Sequence, residues 1–311
     1  MTVLVGYSPE AREHGGLALA AMLARSSGEG LVVCCVVPDR WEAVSVARVD
    51  AEYANYLSGL AHDALADAKA FLGEDVGAEY VVRTGRSVAT TLAKEAAASE
   101  ARVLVLGSSS NGPWGRVALG SVTDRLLHSA ALPLALAPLG FRAPNDAVVR
   151  RATVGLDGTR LSEAVLVAAA RMTHQVSVDL RVITFAVRDH AMYTSQVGSR
   201  AEVMVMQAWR EQADAMQLKA LNWLATHEGT STPSEVAIID GRDWADALAR
   251  VGWVEGDVLV LGSSPHGPIS RVFVGSTATK ILQSSPVPVI LIPTGASARD
   301  GLDLSGQSIR R

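Results

Sequence analysis

The chain repeats itself, and the repeat limits what it can fold into. Val103 to Val122 reads VLVLGSSSNGPWGRVALGSV, and Val258 to Thr277 reads VLVLGSSPHGPISRVFVGST. Thirteen of these twenty positions are identical, at a constant offset of 155. The match runs on without gaps: Asp124 to Ser129 lies over Thr279 to Ser284, and Leu132 to Pro138 over Val287 to Pro293. Upstream, Thr84-Gly85-Arg86-Ser87 meets Asp240-Gly241-Arg242-Asp243, and the opening Val5-Gly6-Tyr7-Ser8 meets Val154-Gly155-Leu156-Asp157. A period this long is not a solenoid repeat; it is a duplicated domain. We expect one domain over 1–139 and a second over 150–295. The join falls between Gly140 and Arg150, where Pro144-Asn145-Asp146 interrupts the apolar pattern. The tail 296–311, rich in Gly, Ser and charge, is expected to be loosely ordered.

Each half alternates strands with helices. In the first, short runs rich in Val and Leu predict strands near 2–6, 31–37, 78–83, 102–106 and 132–137. They show little period-two alternation, which is how strands covered on both faces read. Ala-rich stretches between them, such as Gly15 to Ala24 and Glu52 to Leu72, predict helices. The second half predicts strands near 152–156, 177–186, 234–239, 257–261 and 287–292, with helices over Leu161 to Met172, Ala201 to Thr226 and Trp244 to Val251. Such alternation requires parallel pairing with right-handed crossovers. The expected fold is α/β: two doubly wound, five-stranded, Rossmann-like domains in tandem. The fifth strand of each half is flanked by proline (Pro133 and Pro138, Pro288 and Pro293), which marks an edge. An apolar edge needs a partner. The two fifth strands are therefore expected to pair, making the chain an intramolecular pseudo-dimer; an edge offered to a second chain is the other option.

In open α/β sheets ligands sit beyond the carboxyl ends of the strands, where strand order reverses. The fourth strand of the first half is followed by Gly107, Gly112, Gly120 and Ser121; that of the second by Gly262, Ser263, Gly267, Gly275, Ser276 and Thr277. A phosphate chain needs close backbone N–H groups, which glycine permits, and the start of a helix supplies more of them with a positive dipole end. Ser121 and Ser276 can cap that helix or donate to a phosphate oxygen. The competing reading is tight loop-to-helix packing with an ordinary serine cap. The halves differ at strand one. The second ends it with Gly155-Leu156-Asp157-Gly158-Thr159, whose carboxylate can accept from ribose hydroxyls or a base amine; the first has Gly6-Tyr7-Ser8-Pro9. The second half is the better nucleotide site.

Together these residues resemble the universal stress protein family, over nearly the whole chain. Its strand-one segment V-G-x-D-G-S is matched by Val154 to Thr159, with Thr for Ser. Its nucleotide signature is a glycine, two residues, a glycine, nine residues, then glycine and serine or threonine. Gly107 with Gly120-Ser121, and Gly262 with Gly275-Ser276, fit the first and last elements, while Ser110 and Pro265 replace the middle glycine. Pro265 has no N–H, so one phosphate contact of the family is missing. The resemblance implies a stress-response regulator that binds ATP, ADP or AMP, with Mg²⁺ arriving on ATP, and that is usually dimeric. The substitutions keep a second reading open, a nucleotide-free scaffold for an unidentified protein partner. A weak ATP hydrolase is the third.

Several functions lack their residues. There is no G-x-x-x-x-G-K-[ST] loop, no matched Ser/His/Asp or Cys/His group, and no metal-spaced cluster of His, Cys and carboxylates. A net charge of -4 gives no global field for nucleic acid or a membrane surface. No run reaches the roughly 18 apolar residues of a membrane helix, and no signal peptide is evident, so the expected location is the cytoplasm. Cys34 and Cys35 are neighbours on a strand; their side chains should diverge and be buried. Arg116 and Arg271, at equal loop positions, read as phosphate partners or surface ion pairs; His266 and Asn111 read as solvent-exposed; Trp114 reads as a packing or interface residue. The stretch Met192 to Met216 reads as a long helix packed on the domain or a partner.

Overall fold

The structure is a computed structural model that describes residues 2–8, 13–39, 49–74, 76–187, 199–262 and 276–293. Among these, the first half contains β1 (Thr2–Gly6), α1 (Gly15–Ser27), β2 (Gly30–Pro38), α2 (Val49–Leu72), β3 (Ala78–Gly85), α3 (Val88–Ala98), β4 (Ala101–Leu106), α4 (Ser121–Leu127) and β5 (Leu134–Leu136). The second contains β6 (Arg151–Gly155), α5 (Arg160–Val176), β7 (Asp179–Val187), α6 (Ser199–Leu224), β8 (Glu235–Gly241), α7 (Trp244–Ala249), β9 (Asp257–Gly262), α8 (Ser276–Ser284) and β10 (Val289–Ile292). The order is that expected from the sequence.

Helix and strand ends follow local chemistry. Ser87, Thr159 and Asp243 each accept from a backbone N–H three residues on, opening α3, α5 and α7. Gly28 closes α1 in a left-handed conformation at φ 66°. Ser177 closes α5 in the same way at φ 53°, so β7 begins at Asp179 rather than at 177 as the pattern suggested. The fifth strand is shorter than predicted, 134–136 instead of 132–137. Pro133 has no N–H for the ladder; only its carbonyl joins in, accepting from Leu104.

Within each half the strands run parallel, and the whole forms one ten-stranded sheet in the order β3-β2-β1-β4-β5-β10-β9-β6-β7-β8. Its centre is the expected seam. β5 and β10 pair antiparallel, with Ala135 opposite Ile290 and Leu136 opposite Val289, all buried. Two edges that alone would be exposed and apolar thus close on each other, and the outer edges fall on the less buried β3 and β8. Arg116 bridges the halves as well: its guanidinium donates to the carbonyl of Ser284, the last residue of α8. That is neither a phosphate contact nor a surface ion pair. It satisfies a carbonyl that the end of a helix leaves without an intrahelical donor.

Two apolar layers sandwich the sheet. One packs α1, α2, α5 and α6 on one face, and the other packs α3, α4, α7 and α8 on the opposite face. Cys35 lies in the first layer and Cys34 in the second, both fully buried, as neighbours on a central strand must. Burial pushes their thiols up, Cys34 to about 12 and Cys35 to about 11. The methionine stretch lies in part on the long helix α6. Met216 packs against the core, but Met204 is 71% exposed, and α6 starts at Ser199, after Met192, which lies outside the described residues. Arg271, His266 and the tail 296–311 also lie outside them. No helix among the described residues is long and apolar enough to cross a membrane.

Candidate functional site

The strand order fixes where a ligand can sit. In the second half it reverses between β6 and β9: β7 and β8 extend to one side, β10 to the other, and the helices that follow β6 and β9 cover opposite faces. The crevice beyond the carboxyl ends of these two strands is the natural ligand position. Val154 pairs with Val260 at the end of their ladder, and Asp157 and Gly262, two of the residues expected in the site, follow three and two residues further along the chain. Gly155 is the last residue of β6, and a Cβ there would lie 3.2 Å from Leu261 Cδ2. Its hydrogen atom leaves room for the buried Leu261 side chain.

Asp157 is exposed and held in place. The Thr159 N–H and hydroxyl both donate to Asp157 Oδ1, at 3.0 and 2.7 Å, and the Asp157 N–H donates to Ser162 Oγ at 3.4 Å. Thr159 Oγ1 also accepts from the Ser162 N–H at 3.2 Å, so one hydroxyl caps α5 and anchors the carboxylate. Burial of the group raises the Asp157 pKa, but the hydrogen bonds from Thr159 and Ser162 outweigh it and hold the carboxyl below its ordinary value. Gly158 makes the bend, at φ 77°, where a Cβ would collide with the Met216 thioether of α6. Sequence reading singled out Asp157 but not its supports, Thr159 and Ser162. The signal was present as Asp-Gly-Thr followed three residues later by Ser.

Of the remaining expected residues in this half, Gly262 ends β9, Ser276 is the first residue of α8, and Thr277, the second, is exposed. Ser263, Gly267 and Gly275 lie outside the described residues.

The first half puts the same elements in the same place and fills them differently. The Tyr7 hydroxyl donates to Asp67 Oδ2 at 2.9 Å, and His14 Nε2 lies 2.7 Å from the same oxygen. The His14 ring stacks with Phe71 at 4.5 Å and with Tyr7 at 6.1 Å. His14 and Tyr7 hold the Asp67 carboxyl below its usual range, while burial and this hydrogen bond push the Tyr7 phenol up. Asp67 lies sixty residues from Tyr7, so no local pattern pointed to this cluster.

The loop after β4 is closed on itself. Ser109 N–H donates to Ala118 O, Gly112 N–H to Ser109 O, Gly115 N–H to Leu139 O, and Ala118 N–H to Ser108 Oγ. The Ser108 hydroxyl in turn donates to Ala137 O at 2.7 Å. Those amides are engaged within the protein rather than turned to a ligand. A Cβ on Gly112 would collide with Ala118, so this glycine is explained by packing. The cap of α4 is Gly120, with no side-chain hydrogen bond; Ser121 is the first helical residue, not the cap that the sequence allowed. Gly107 sits against the start of α1, where a Cβ on Gly16 would come within 3.0 Å of its nitrogen. Asn111 is exposed as expected, and Trp114, 65% exposed, covers Gly140 at the start of the linker.

Among the described residues no group of three His, Cys, Asp or Glu side chains is placed to hold a metal ion.

Comparisons with known proteins agree with this architecture. The model of the universal stress protein family matches twice, over residues 1–138 and 149–293. A universal stress protein of Mycobacterium tuberculosis is 37% identical over 296 residues, covering 94% of this chain and all of the relative. One of Mycolicibacterium smegmatis is 24% identical over 302 residues, covering 93% of this chain and 96% of the relative. Among solved structures, a universal stress protein from Archaeoglobus fulgidus superposes with a TM-score of 0.59 at 19% identity, covering 94% of this chain and 98% of its own. The chain belongs to the universal stress protein family and carries two copies of its domain in tandem.

Proposed function

We propose that this protein is a stress-response regulator that binds an adenine nucleotide at the second half and not at the first. The observation that carries the reading is the Asp157 carboxylate, fixed by Thr159 at the carboxyl end of β6 beside Gly262. An exposed acceptor with one oxygen pinned and a depressed pKa is ionised at neutral pH and preorganised. It suits ribose hydroxyls or an exocyclic amine, both donors. The residues fit a nucleotide: an acidic acceptor at the end of β6, a small residue closing β9, and a helix start carrying Ser276 and Thr277. The phosphates would take their donors from that side, and Mg²⁺ would arrive with ATP rather than on protein ligands.

The closed loop and the Tyr7–His14–Asp67 cluster argue against an equal site in the first half. That half then serves as the fixed partner that completes the sheet. A nucleotide that binds the folded state raises the melting temperature by mass action, by about 2.7 kcal/mol of stability at a hundredfold excess over Kd. A thermal-shift series with ATP, ADP and AMP at millimolar concentration tests the proposal. A rise that Asp157→Ala abolishes supports it. An unmoved melting temperature with all three nucleotides sinks it in favour of the scaffold reading.

A further inference from the structure

The turn that carries Asp157 rests on a sulfur atom. Gly158 has φ 77°, and the space an L side chain would need for its Cβ is taken by Sδ and Cγ of Met216 on α6. Met216 is partly exposed and packs against the apolar layer that α1, α2, α5 and α6 share. The helix beneath cannot draw back. Gln217, the next residue, is buried and donates to Thr184 Oγ1 of β7 at 3.0 Å and to Ala237 O of β8 at 2.9 Å. Ala213 and Ala220, on the turns to either side, are buried as well. The turn above is the partner that yields: Asp157, Gly158 and Thr159 are all exposed, and Thr159 alone donates to the Asp157 carboxylate among the described residues.

The duplication supplies an internal comparison. Buried Ala61, Ala68 and Leu72 of α2 lie over buried Ala213, Ala220 and Leu224 of α6, each 152 residues later. In that alignment Ala64 stands where α6 has Met216, and the same half has Ser8 where the second has Asp157. Sulfur and carboxylate occur together, in one half only.

A thioether is oxidised to a sulfoxide, which turns a flexible apolar side chain into a polar, chiral one, and a reductase reverses the change. With hydrogen peroxide, the Sδ lone pair takes one oxygen: the O–O bond breaks, an S–O bond forms, sulfur loses two electrons, and the other oxygen leaves as water. The contact with Gly158 has no space for the added oxygen. Whether the side chain swings out or the turn lifts, the packing under Gly158 is lost. Met204, 71% exposed, is oxidisable too, but it lies twelve residues before Met216 on α6; Met22, at 2%, is shielded.

We propose that Met216 is a site of reversible oxidation by peroxides and that its sulfoxide releases the Asp157 turn. The consequence for ligand binding rests on the nucleotide reading above; the release of the turn does not.

The test treats the full chain with hydrogen peroxide and follows oxygen uptake at each methionine by peptide mass spectrometry. The expected result is uptake at Met216 after Met204 and before Met22. In the oxidised protein, carboxyl NMR should show the Asp157 pKa moving up toward its ordinary value. Calorimetry should show ATP affinity lowered by roughly fivefold or more, the low end of ordinary coupling between two sites. Both changes should revert with methionine sulfoxide reductase and persist in Met204→Leu. In Met216→Leu the affinity, whatever its starting value, should be the same before and after peroxide. If oxidation elsewhere unfolds the chain, Met216→Gln, polar and of similar length, makes the same test without oxidant. Met216 left intact once Met22 has reacted would overturn the proposal, as would a Met216 sulfoxide that leaves the Asp157 titration unchanged. Absence of ATP binding before oxidation would sink the nucleotide reading alone, because the mass and carboxyl readouts need no nucleotide.

Discussion

Replacing Asp257 by alanine should destabilise the second half more than any surface substitution in the protein. Asp257 is buried at the start of β9 and organises a charged network under the sheet. Its carboxylate accepts from Arg151 Nε and Nη2 at 2.9 and 2.7 Å, from Val254 N–H at 3.0 Å, and from Arg181 Nη2 at 3.4 Å. Arg181 is only 1% exposed. It also donates to Thr153 Oγ1 and Val251 O, and its guanidinium lies 5.0 Å from the centre of the Trp253 ring. Burial, then the nearby Arg151 charge, already pulls the Arg181 pKa below its usual value. Without Asp257 this buried cation keeps the neutral contacts to Thr153, Val251 and Trp253, and among the described residues its remaining carboxylate partner is Glu235, at 3.7 Å and half exposed. Breaking a buried pair by removing one partner costs about 3–5 kcal/mol. The surviving Glu235 contact and the partial exposure of Arg151 place the expected loss near the lower end, about 3 kcal/mol. Urea unfolding followed by tryptophan fluorescence reads the change as a lower midpoint at unchanged slope. The first half places Leu4 opposite Val32 where the second has Thr153 opposite Arg181, so an apolar solution to the same geometry exists within the chain. Adding Arg181→Met to Asp257→Ala should therefore recover much of the loss. A cost below about 1 kcal/mol for Asp257→Ala, or a double variant much worse than the single, would refute the reasoning.

Three further outcomes follow from the geometry. Arg116→Ala removes the donor to Ser284 O and should lower stability by about 1–2 kcal/mol in denaturant melts, with nucleotide affinity in calorimetry unchanged. Cys34 and Cys35, buried and with raised pKa values, should not react with a disulfide reagent at pH 8 in the native protein and should both react once it is unfolded, as a colorimetric thiol assay will show. Thr159→Val removes the hydroxyl donor to Asp157, while keeping the backbone N–H one, and removes the cap of α5: the Asp157 pKa should rise toward its ordinary value in a carboxyl NMR titration, and stability should fall by about 1 kcal/mol. In the wild type the folded Asp157 pKa lies below the unfolded value, so its contribution to stability is full above the unfolded pKa and is lost as pH falls through the folded one.

Much of the fold was legible because the duplication tests each inference twice. The Pro-flanked fifth strands announced an edge in both halves, and the two edges pair with each other. The undifferentiated apolar run Leu31 to Val37 announced a strand covered on both faces, and it is buried throughout. What the sequence concealed depends on contacts far apart in the chain. Arg181 sits in a strand and reads as a surface residue until Asp257 and Trp253 arrive from more than seventy residues away. Asp67 meets Tyr7 only through the packing of α2 on β2, β3 and α1. Arg116 reads from the sequence as a phosphate partner or a surface ion pair; its actual partner belongs to the other half, and only the seam brings them together. Within the candidate site, Asp157 was visible as a carboxylate at a strand end, whereas the closure of the first-half loop depends on backbone amides that carry no sequence signature.

The most direct test is a calorimetric titration of ATP into the wild-type chain and into Asp157→Ala. One saturable site per chain in the wild type, lost in a folded Asp157→Ala variant, is the result expected of a nucleotide regulator that uses its second half. Two equal sites, binding unaffected by loss of the Asp157 carboxylate, or no binding at all by ligand-free protein would contradict it.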